Sequence, residues 1–386
     1  MDNIAGTKSS LTWAVHISVA FLVALWLFPT LGLLVSSFRT TDQISSSGWW
    51  KAMFPTEQTI QLRTGGATAA VQQDGLYVVE GNILTDEGGP GTGSEPVAFG
   101  VSSREIGAYE IGETAEFSDG EETLVIAQDG TYRYTSVEEP GRRGQRVFLT
   151  AVTPAQATLD NYKTILFSGS GQDNMAKAFF NTLTVTIPAT IIPIVIAAFA
   201  AYALAWMDFP GRALLIALVV ALLVVPLQLA LIPLLRLHLG IGIGKGYLGV
   251  WLAHTAFGLP LAIYLLRNYM VGLPRDIIEN AKVDGATDFQ IFTKIILPLS
   301  FPALASFAIF QFLWTWNDLL VAKVFLIDAT GSTTVMTNQI VELLGTRGGN
   351  WEILATAAFV SISVPLVVFF AMQRYLVRGL LAGSVK

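Results

Sequence analysis

The chain of 386 residues is 52% hydrophobic and only 13% charged, against roughly 25% charge in an ordinary soluble domain, and its long apolar runs make it a polytopic membrane protein. It has no cysteine, which excludes disulfides and thiolate metal sites, and its three histidines (His16, His238, His254) lie too far apart for metal-ligand spacing. The net charge of −6 conceals an asymmetry: residues 57–150 carry 16 acidic and 6 basic side chains, a net of −10, which leaves +4 on the rest.

Leu11 to Val35 form an apolar run of 25 residues, long enough for a tilted span at ~1.5 Å per residue. A cleavable signal peptide is the competing reading, but its apolar region spans about 7–15 residues and precedes a small-residue site. This run ends in Ser36-Ser37-Phe38-Arg39 and reads as a retained first span.

Between Glu57 and Val152 the pattern changes to Val, Ile, Tyr, Phe and Thr interleaved with polar residues. Leu76–Glu80, Ala115–Ser118, Thr123–Ala127, Thr131–Thr135 and Arg146–Val152 read as short strands. Asp74-Gly75, Asp119-Gly120 and Asp129-Gly130 are turn signals, and the Gly/Pro-rich stretch Asp86 to Pro96 is a loop. The acidic residues form a solvated surface or a binding face; none has the spacing of a calcium loop.

Five further spans follow, near Phe180–Trp206, Ala213–Leu235, Tyr247–Leu266, Ala303–Ile327 and Ile353–Met372. Six spans put both termini on one side. Lys8, Arg212, Arg267, Arg275, Lys282, Lys294, Arg374, Arg378 and Lys386 share that side, whereas the opposite short loops hold Lys245, Arg347 and the borderline Arg236. The positive-inside rule makes the termini and loop 267–302 cytoplasmic, and long loops such as 37–175 translocate largely regardless of charge. The expected fold is therefore an all-α polytopic membrane protein with six transmembrane helices and an inserted extracytoplasmic β-rich domain. Its parts are an N-terminus and first span (1–36), an extracytoplasmic segment (37–175) and a five-span core (176–386) ending in a cytoplasmic tail (373–386).

Within loop 267–302, Glu279 to Pro298 has the content of two small helices. Pro274 suits a first helical position, Asp284-Gly285 a helix stop, and Thr287 or Asp288 a second cap. Phe289, Phe292, Ile295 and Ile296 recur at helical spacing, and Pro298 marks the next boundary. Small residues at the bend (Ala281, Gly285, Ala286) let another protein approach closely; the plainer alternative is an amphipathic re-entry between spans.

Gly240 to Gly246 lacks the first glycine and the hydroxyl of a phosphate loop and reads as a turn, so the chain offers no nucleotide site. Asp318 and Lys323 lie within the fifth span after Trp314, Trp316 and Asn317, at a separation poor for a same-face ion pair. Two readings stand: Lys323 snorkels and the tryptophans form an aromatic belt, or Trp314, Trp316, Asn317 and Asp318 wall a translocation path where indoles stack on sugar rings. His254 reads as a satisfied helix-packing residue. Prolines 188, 193, 226, 233, 260 and 365 interrupt the spans, as a bundle that must rock can tolerate. No catalytic constellation is present.

Glu279-Asn280-Ala281, Asp284-Gly285-Ala286 and Pro298 resemble the cytoplasmic loop signature of binding-protein-dependent ABC import permeases, with Asn280 standing where the family usually has alanine. Leu159-Asp160-Asn161-Tyr162, Ala200 to Leu204, Phe209 to Arg212, Trp314 to Asp318 and the tail Gln373 to Leu380 add to the likeness, which covers 1–50 and 155–386. The tail, continuing through Ala382 to Lys386, resembles the carbohydrate branch, the maltose-permease G-subunit type, and the enlarged segment is most like the alpha-glucoside permeases. The resemblance implies a transport subunit of the bacterial inner membrane, not an enzyme, with no cofactor, no metal and no nucleic-acid partner. It implies a second permease subunit as heterodimer partner, two ATPase subunits, an extracytoplasmic sugar-binding protein and an oligosaccharide such as maltose, trehalose or sucrose. Glu279 is then an electrostatic contact to the ATPase, Ala281 and Ala286 close-packing surfaces, and Gly285 the bend, with Asn280, Asp284 and Pro298 in the same loop. The tail Ala382, Gly383, Ser384, Val385 and Lys386 reaches between the ATPases, and the loop Asp328 to Trp351 probes the binding protein's cleft. The rivals are a secondary transporter, for which Asp318 alone is thin support, and a membrane sensor with a ligand-binding β domain.

Overall fold

The computed structural model describes residues 10–117, 120–167, 175–327, 330–346 and 348–381, with side chains described as far as residue 375. It divides into two compact units, Met1–Tyr162 with Gly349–Thr356, and Lys163–Gly348 with Ala357–Lys386.

The first unit opens with helix α1 (Ser10–Ser36), which leaves nearly all its apolar side chains exposed, and the short helix α2 (Thr41–Ser46), capped by Thr40 and Gln43. Nine antiparallel strands follow among the described residues: β1 (Thr56–Arg63), β2 (Val71–Gln73), β3 (Leu76–Asn82), β4 (Glu95–Gly100), β5 (Tyr109–Glu110), β6 (Thr114–Glu116), β7 (Glu122–Ile126), β8 (Thr131–Ser136) and β9 (Arg146–Thr153). They form one sheet in the order β1-β9-β4-β5 and another in the order β2-β3-β8-β7-β6. Alternating residues of both sheets, among them Leu62, Val79, Phe99, Leu124, Tyr134 and Leu149, share one buried core, so the sheets are the two layers of a sandwich. The Asp74-Gly75 turn joins β2 to β3 with both residues at positive φ (+50° and +85°), as a two-residue hairpin requires. Strands β1, β2, β4 and β5 were not expected from the sequence. Strand β4 begins inside the stretch read as a loop; Pro96 pairs with Ala151 without an amide to donate, and the register shifts between Pro96 and Ala98.

Where the chain leaves the sandwich, α3 (Asp160–Phe167) begins. Asn161 donates to the carbonyls of Ser37 and Arg39, both at 2.9 Å, and the Tyr162 hydroxyl lies 2.7 Å from Ser37 Oγ. The Leu159–Tyr162 motif thus closes the base of the segment that leaves and rejoins the helices.

The second unit comprises α4 (Met175–Trp206), α5 (Arg212–Leu222), α6 (Leu227–Gly240), α7 (Tyr247–Val271), α8 (Arg275–Val283), α9 (Asp288–Leu299), α10 (Phe301–Trp316), α11 (Leu320–Phe325), α12 (Met336–Thr346) and most of α13 (Trp351–Leu381). Among the described residues, four helices are long and apolar enough to cross a membrane (α1, α4, α7 and α13), and six spans result if each of two bent pairs counts as one. Two expected spans are corrected. The third is not continuous: α5 and α6 meet at 112°, because Pro226 cannot donate and drives the preceding residue away from helical backbone. The fifth stops at Trp316 instead of running to Ile327; α10 meets α9 at 70° and α11 starts anew beyond Asn317–Leu319.

Candidate functional site

Helix α8 ends at Asp284, and Gly285 takes the left-handed conformation (φ +81°). The Ala286 amide donates back to Ala281 O and the Gly285 amide to Lys282 O, each at 3.0 Å. This pair of bonds is the Schellman stop, which satisfies carbonyls a helix end otherwise leaves open. Pro274 is the N-cap of α8, one position before the helix begins at Arg275, and not the first helical residue expected. Thr287 caps α9 reciprocally: its hydroxyl accepts from the Gln290 amide and the Gln290 side chain accepts from the Thr287 amide (2.9 Å). Residues Phe292–Ile296 widen into a π turn before Pro298, whose missing N–H disturbs the regular ladder.

The elbow sits on a core of its own. Ile278, Ala281, Ile291, Phe292 and Ile296 are buried against Ala197, Ala198, Ala201 and Tyr202 of α4 and Leu266 and Met270 of α7. Alanines on α4 leave room for the Phe292 ring, which lies 4.6 Å from Phe199 and 5.3 Å from Tyr202. Arg212 closes the adjoining end of α4, donating to the carbonyls of Leu204 and Ala205 at 2.9 Å, while Gly211 turns the chain at φ +85°. That accounts for the Phe209–Arg212 motif.

This arrangement corrects three expectations. Ala281 is 8% exposed and packs inside the chain's own core, so it is not a surface open to a partner; Ala286 is half-buried beside it. Phe289 leaves the apolar stripe and is 65% exposed, while Ile291 takes its place inside. The outward surface is Glu279, Asn280, Asp284 and Gly285 with Val283, which is 86% exposed. Glu279 pairs with Arg275 at 2.8 Å one turn before, both well exposed. Sequence reasoning missed Val283 and Phe289 as surface residues; the signal was an apolar residue on each side of the Asp284-Gly285 stop.

At the fifth span, Trp314 is 38% exposed, whereas Trp316 is 1% exposed and its indole donates to Ser361 O at 3.0 Å. Trp316 therefore packs within the bundle and cannot wall a path with its ring face. Asn317 is exposed and ends α10. The Asp318 carboxylate accepts from the amides of Val321 (3.3 Å) and Ala322 (3.0 Å), starting α11, and Lys323 is exposed and makes no ion pair with it. His254 is not a satisfied packing residue. It is fully buried, neither ring nitrogen has a hydrogen bond, and Nε2 lies 3.7 Å from Asp318 Oδ2.

The Gly240–Gly246 stretch is a turn, with Gly242, Gly244 and Gly246 at positive φ. The amides of Ile243 and Gly244 point to His238 O and that of Gly246 to Phe325 O, so they do not converge on an anion. In the loop before α12, Asn181 donates to the carbonyls of Ser332 (3.1 Å) and Thr334 (2.9 Å). That segment is pinned to α4, although its composition suits a mobile probe. The tail Ala382–Lys386 lies outside the described residues.

The elbow is thus an exposed helix–glycine–helix turn packed on two long apolar helices, α4 and α7. The chain belongs to the family of binding-protein-dependent transport system inner membrane components, whose description matches residues 173–381. It is thus a transport component, not an enzyme, and neither the sensor nor the secondary-transporter reading survives. It is 60% identical to the alpha-glucoside transport system permease protein AglG of Rhizobium meliloti, over 98% of each chain. It is 58% identical to the osmoprotective compounds uptake permease protein GgtD of Synechocystis, over 62% of this chain and 79% of that one. The trehalose transport system permease protein SugB of Mycobacterium tuberculosis is 36% identical over 60% of this chain and 84% of its own.

Proposed function

We propose that the chain is one permease subunit of an ABC importer for an alpha-glucoside oligosaccharide. It forms half of the translocation path beside a second permease, crosses the inner membrane six times and keeps both termini and residues 267–302 in the cytoplasm. The 57–152 sandwich is the inserted extracytoplasmic domain. Two ATPase subunits made elsewhere receive the elbow, and an extracytoplasmic binding protein delivers the sugar to the opposite face, near loop 328–351. The tail 382–386 reaches between the ATPases.

The observation that carries the reading is the elbow: Val283, Gly285 and Phe289 face outward from a turn that the chain's own core holds fixed. Apolar and small groups left exposed on a rigid support suit a cleft in another protein. The 60% identity to an alpha-glucoside permease over nearly the whole length supports the substrate class. Trp314, Asn317 and Asp318 border the path; Trp316 stands behind them as packing. The test is complementation of a strain lacking its alpha-glucoside permease, followed by uptake of radiolabelled maltose, trehalose and sucrose. Restored ATP-dependent uptake of at least one is the expected result; uptake of none, with the complex assembled, removes the substrate assignment.

A further inference from the structure

Two ionisable side chains from different helices, His254 and Asp318, are buried together inside the second unit, and the transport reading gives their nearness no role. On α10 and just beyond it, Gln311, Trp314 and Asp318 recur at spacings of three and four, one face of a helix. That row meets α7. Gln311 donates to Ala189 O of α4 at 3.1 Å and lies where a side chain on Gly258 would stand, its Oε1 only 2.7 Å from that position. The Trp314 indole stands edge-on to the His254 ring, centroids 6.0 Å apart. Asp318 completes the row, 3.7 Å from His254 Nε2.

Each partner is tied to a different moving part. The Asp318 carboxylate is bonded to the first amides of α11, and its backbone carbonyl accepts from Thr337 Oγ1 of α12 at 2.6 Å. It therefore fixes where the chain restarts after the break at Asn317–Leu319. His254 belongs to α7, whose Leu266 and Met270 lie in the elbow's core. From His254 to Leu266 is roughly 18 Å of α7 at ~1.5 Å per residue, the helix running on through Pro260. A gap of 3.7 Å is beyond a hydrogen bond, and leaving both nitrogens of a fully buried imidazole unpaired is costly. A shift of α7 by less than 1 Å, of the order needed to bring the pair within ~3.2 Å, would turn the near-contact into a charge-assisted bond.

The geometry points to His254 and Asp318 as paired positioning residues that join α7 to the break in the fifth span, so that displacement of the elbow moves α11 and the Trp314–Asn317 segment with it. This deepens the permease reading and rests on it. Unmutated transporter that shows no ATP-dependent uptake would defeat that reading, whereas failure of the pairing leaves uptake intact.

This chain has no cysteine of its own, so a single engineered thiol reports from it once the partner subunits' thiols are blocked before assembly. Leu320, 46% exposed in the first turn of α11, is replaced by cysteine and labelled with bimane in the full complex. Fluorescence is compared without nucleotide and with a non-hydrolysable ATP analogue. The expected result is a state-dependent emission shift that disappears in both His254→Leu and Asp318→Asn, with uptake falling about tenfold, while His254→Gln, which keeps an N–H donor, retains most of both. Asp318→Asn still caps α11, so it keeps the test decisive if His254→Leu does not assemble. A parent protein without a shift, or Asp318→Asn retaining the full shift and uptake, overturns the inference.

Discussion

The two units meet the same hydrophobic drive with different surfaces. The sandwich turns Phe99, Leu124, Tyr134 and Leu149 inward until none is exposed and leaves its acidic residues to water. The second unit packs small residues such as Ala197, Ala201 and Ala262 beside buried large ones such as Phe307 and Trp316, and it also presents large ones outward: Leu214, Val224 and Leu229 are 65%, 81% and 74% exposed, and α5 has no buried residue. Among lipid tails a leucine gains nothing by burial against another helix, so close packing of small residues holds such helices together. The sandwich can therefore be damaged from within, and the second unit is best disabled at the surfaces it shows to partners.

The largest effect is expected at Gly285. A Cβ there would meet no atom of this chain within 4 Å, although φ is +81°. Gly285→Asp therefore costs the chain only left-handed strain, roughly 1–2 kcal/mol, and should leave insertion intact while abolishing ATP-driven uptake, because the added side chain occupies space a partner needs. Normal uptake by the inserted variant would remove the elbow from its coupling role.

The sandwich offers the opposite kind of break. Phe99 is fully buried between the sheets, and Phe99→Ala should cost about 3–5 kcal/mol, read as faster proteolysis within residues 56–153. Capture of the ATPase should not change, nor should it after deletion of Glu57–Thr150, since the elbow's core is built wholly from second-unit residues. Loss of the ATPase in a pull-down, with the permease correctly inserted, would show that the two units are not independent in this sense.

What was legible in the sequence divides along the same line. The elbow could be read closely because its signals are local: glycine after Asp284, and threonine three residues before Gln290. The strands built on alternating β-branched and aromatic residues, β3 and β7 to β9, could be read for the same reason. Strand β4 could not, since Glu95-Pro96 looks like a loop until a neighbouring strand is there to accept the bulge. The inward turn of Ala281 and the outward turn of Phe289 were equally hidden, because the side of α8 and α9 that faces inward is decided by α4 and α7. The nearness of His254 and Asp318, 64 residues apart in the chain, is a fact of helix packing alone.

A smaller effect is expected at Phe289, which has no role in the elbow's core. Phe289→Ser should alter fold stability by no more than about 0.5 kcal/mol, yet weaken ATPase docking roughly tenfold if the ring fills a partner's cleft. Equal affinity of both forms in a binding titration would return Phe289 to the class of incidental surface residues.

The smallest effect lies in the first unit, outside the sandwich core, at Asp42. Partial desolvation and then the Glu352 carboxylate push its pKa above the ordinary 3.8. A carboxyl raised in the folded state binds more protons folded than unfolded, so its contribution falls as pH rises from the ordinary value through the raised one, and is level above that. Asp42→Asn holds the group neutral. Its gain should therefore be absent near pH 3 and present at about pH 7.5, and, because Asp42 is largely exposed, solvent screening keeps it small. Thermal unfolding of the purified protein at several pH values reads this directly. A gain that grows as the pH is lowered would reverse the sign and show that Asp42 is stabilised as the anion.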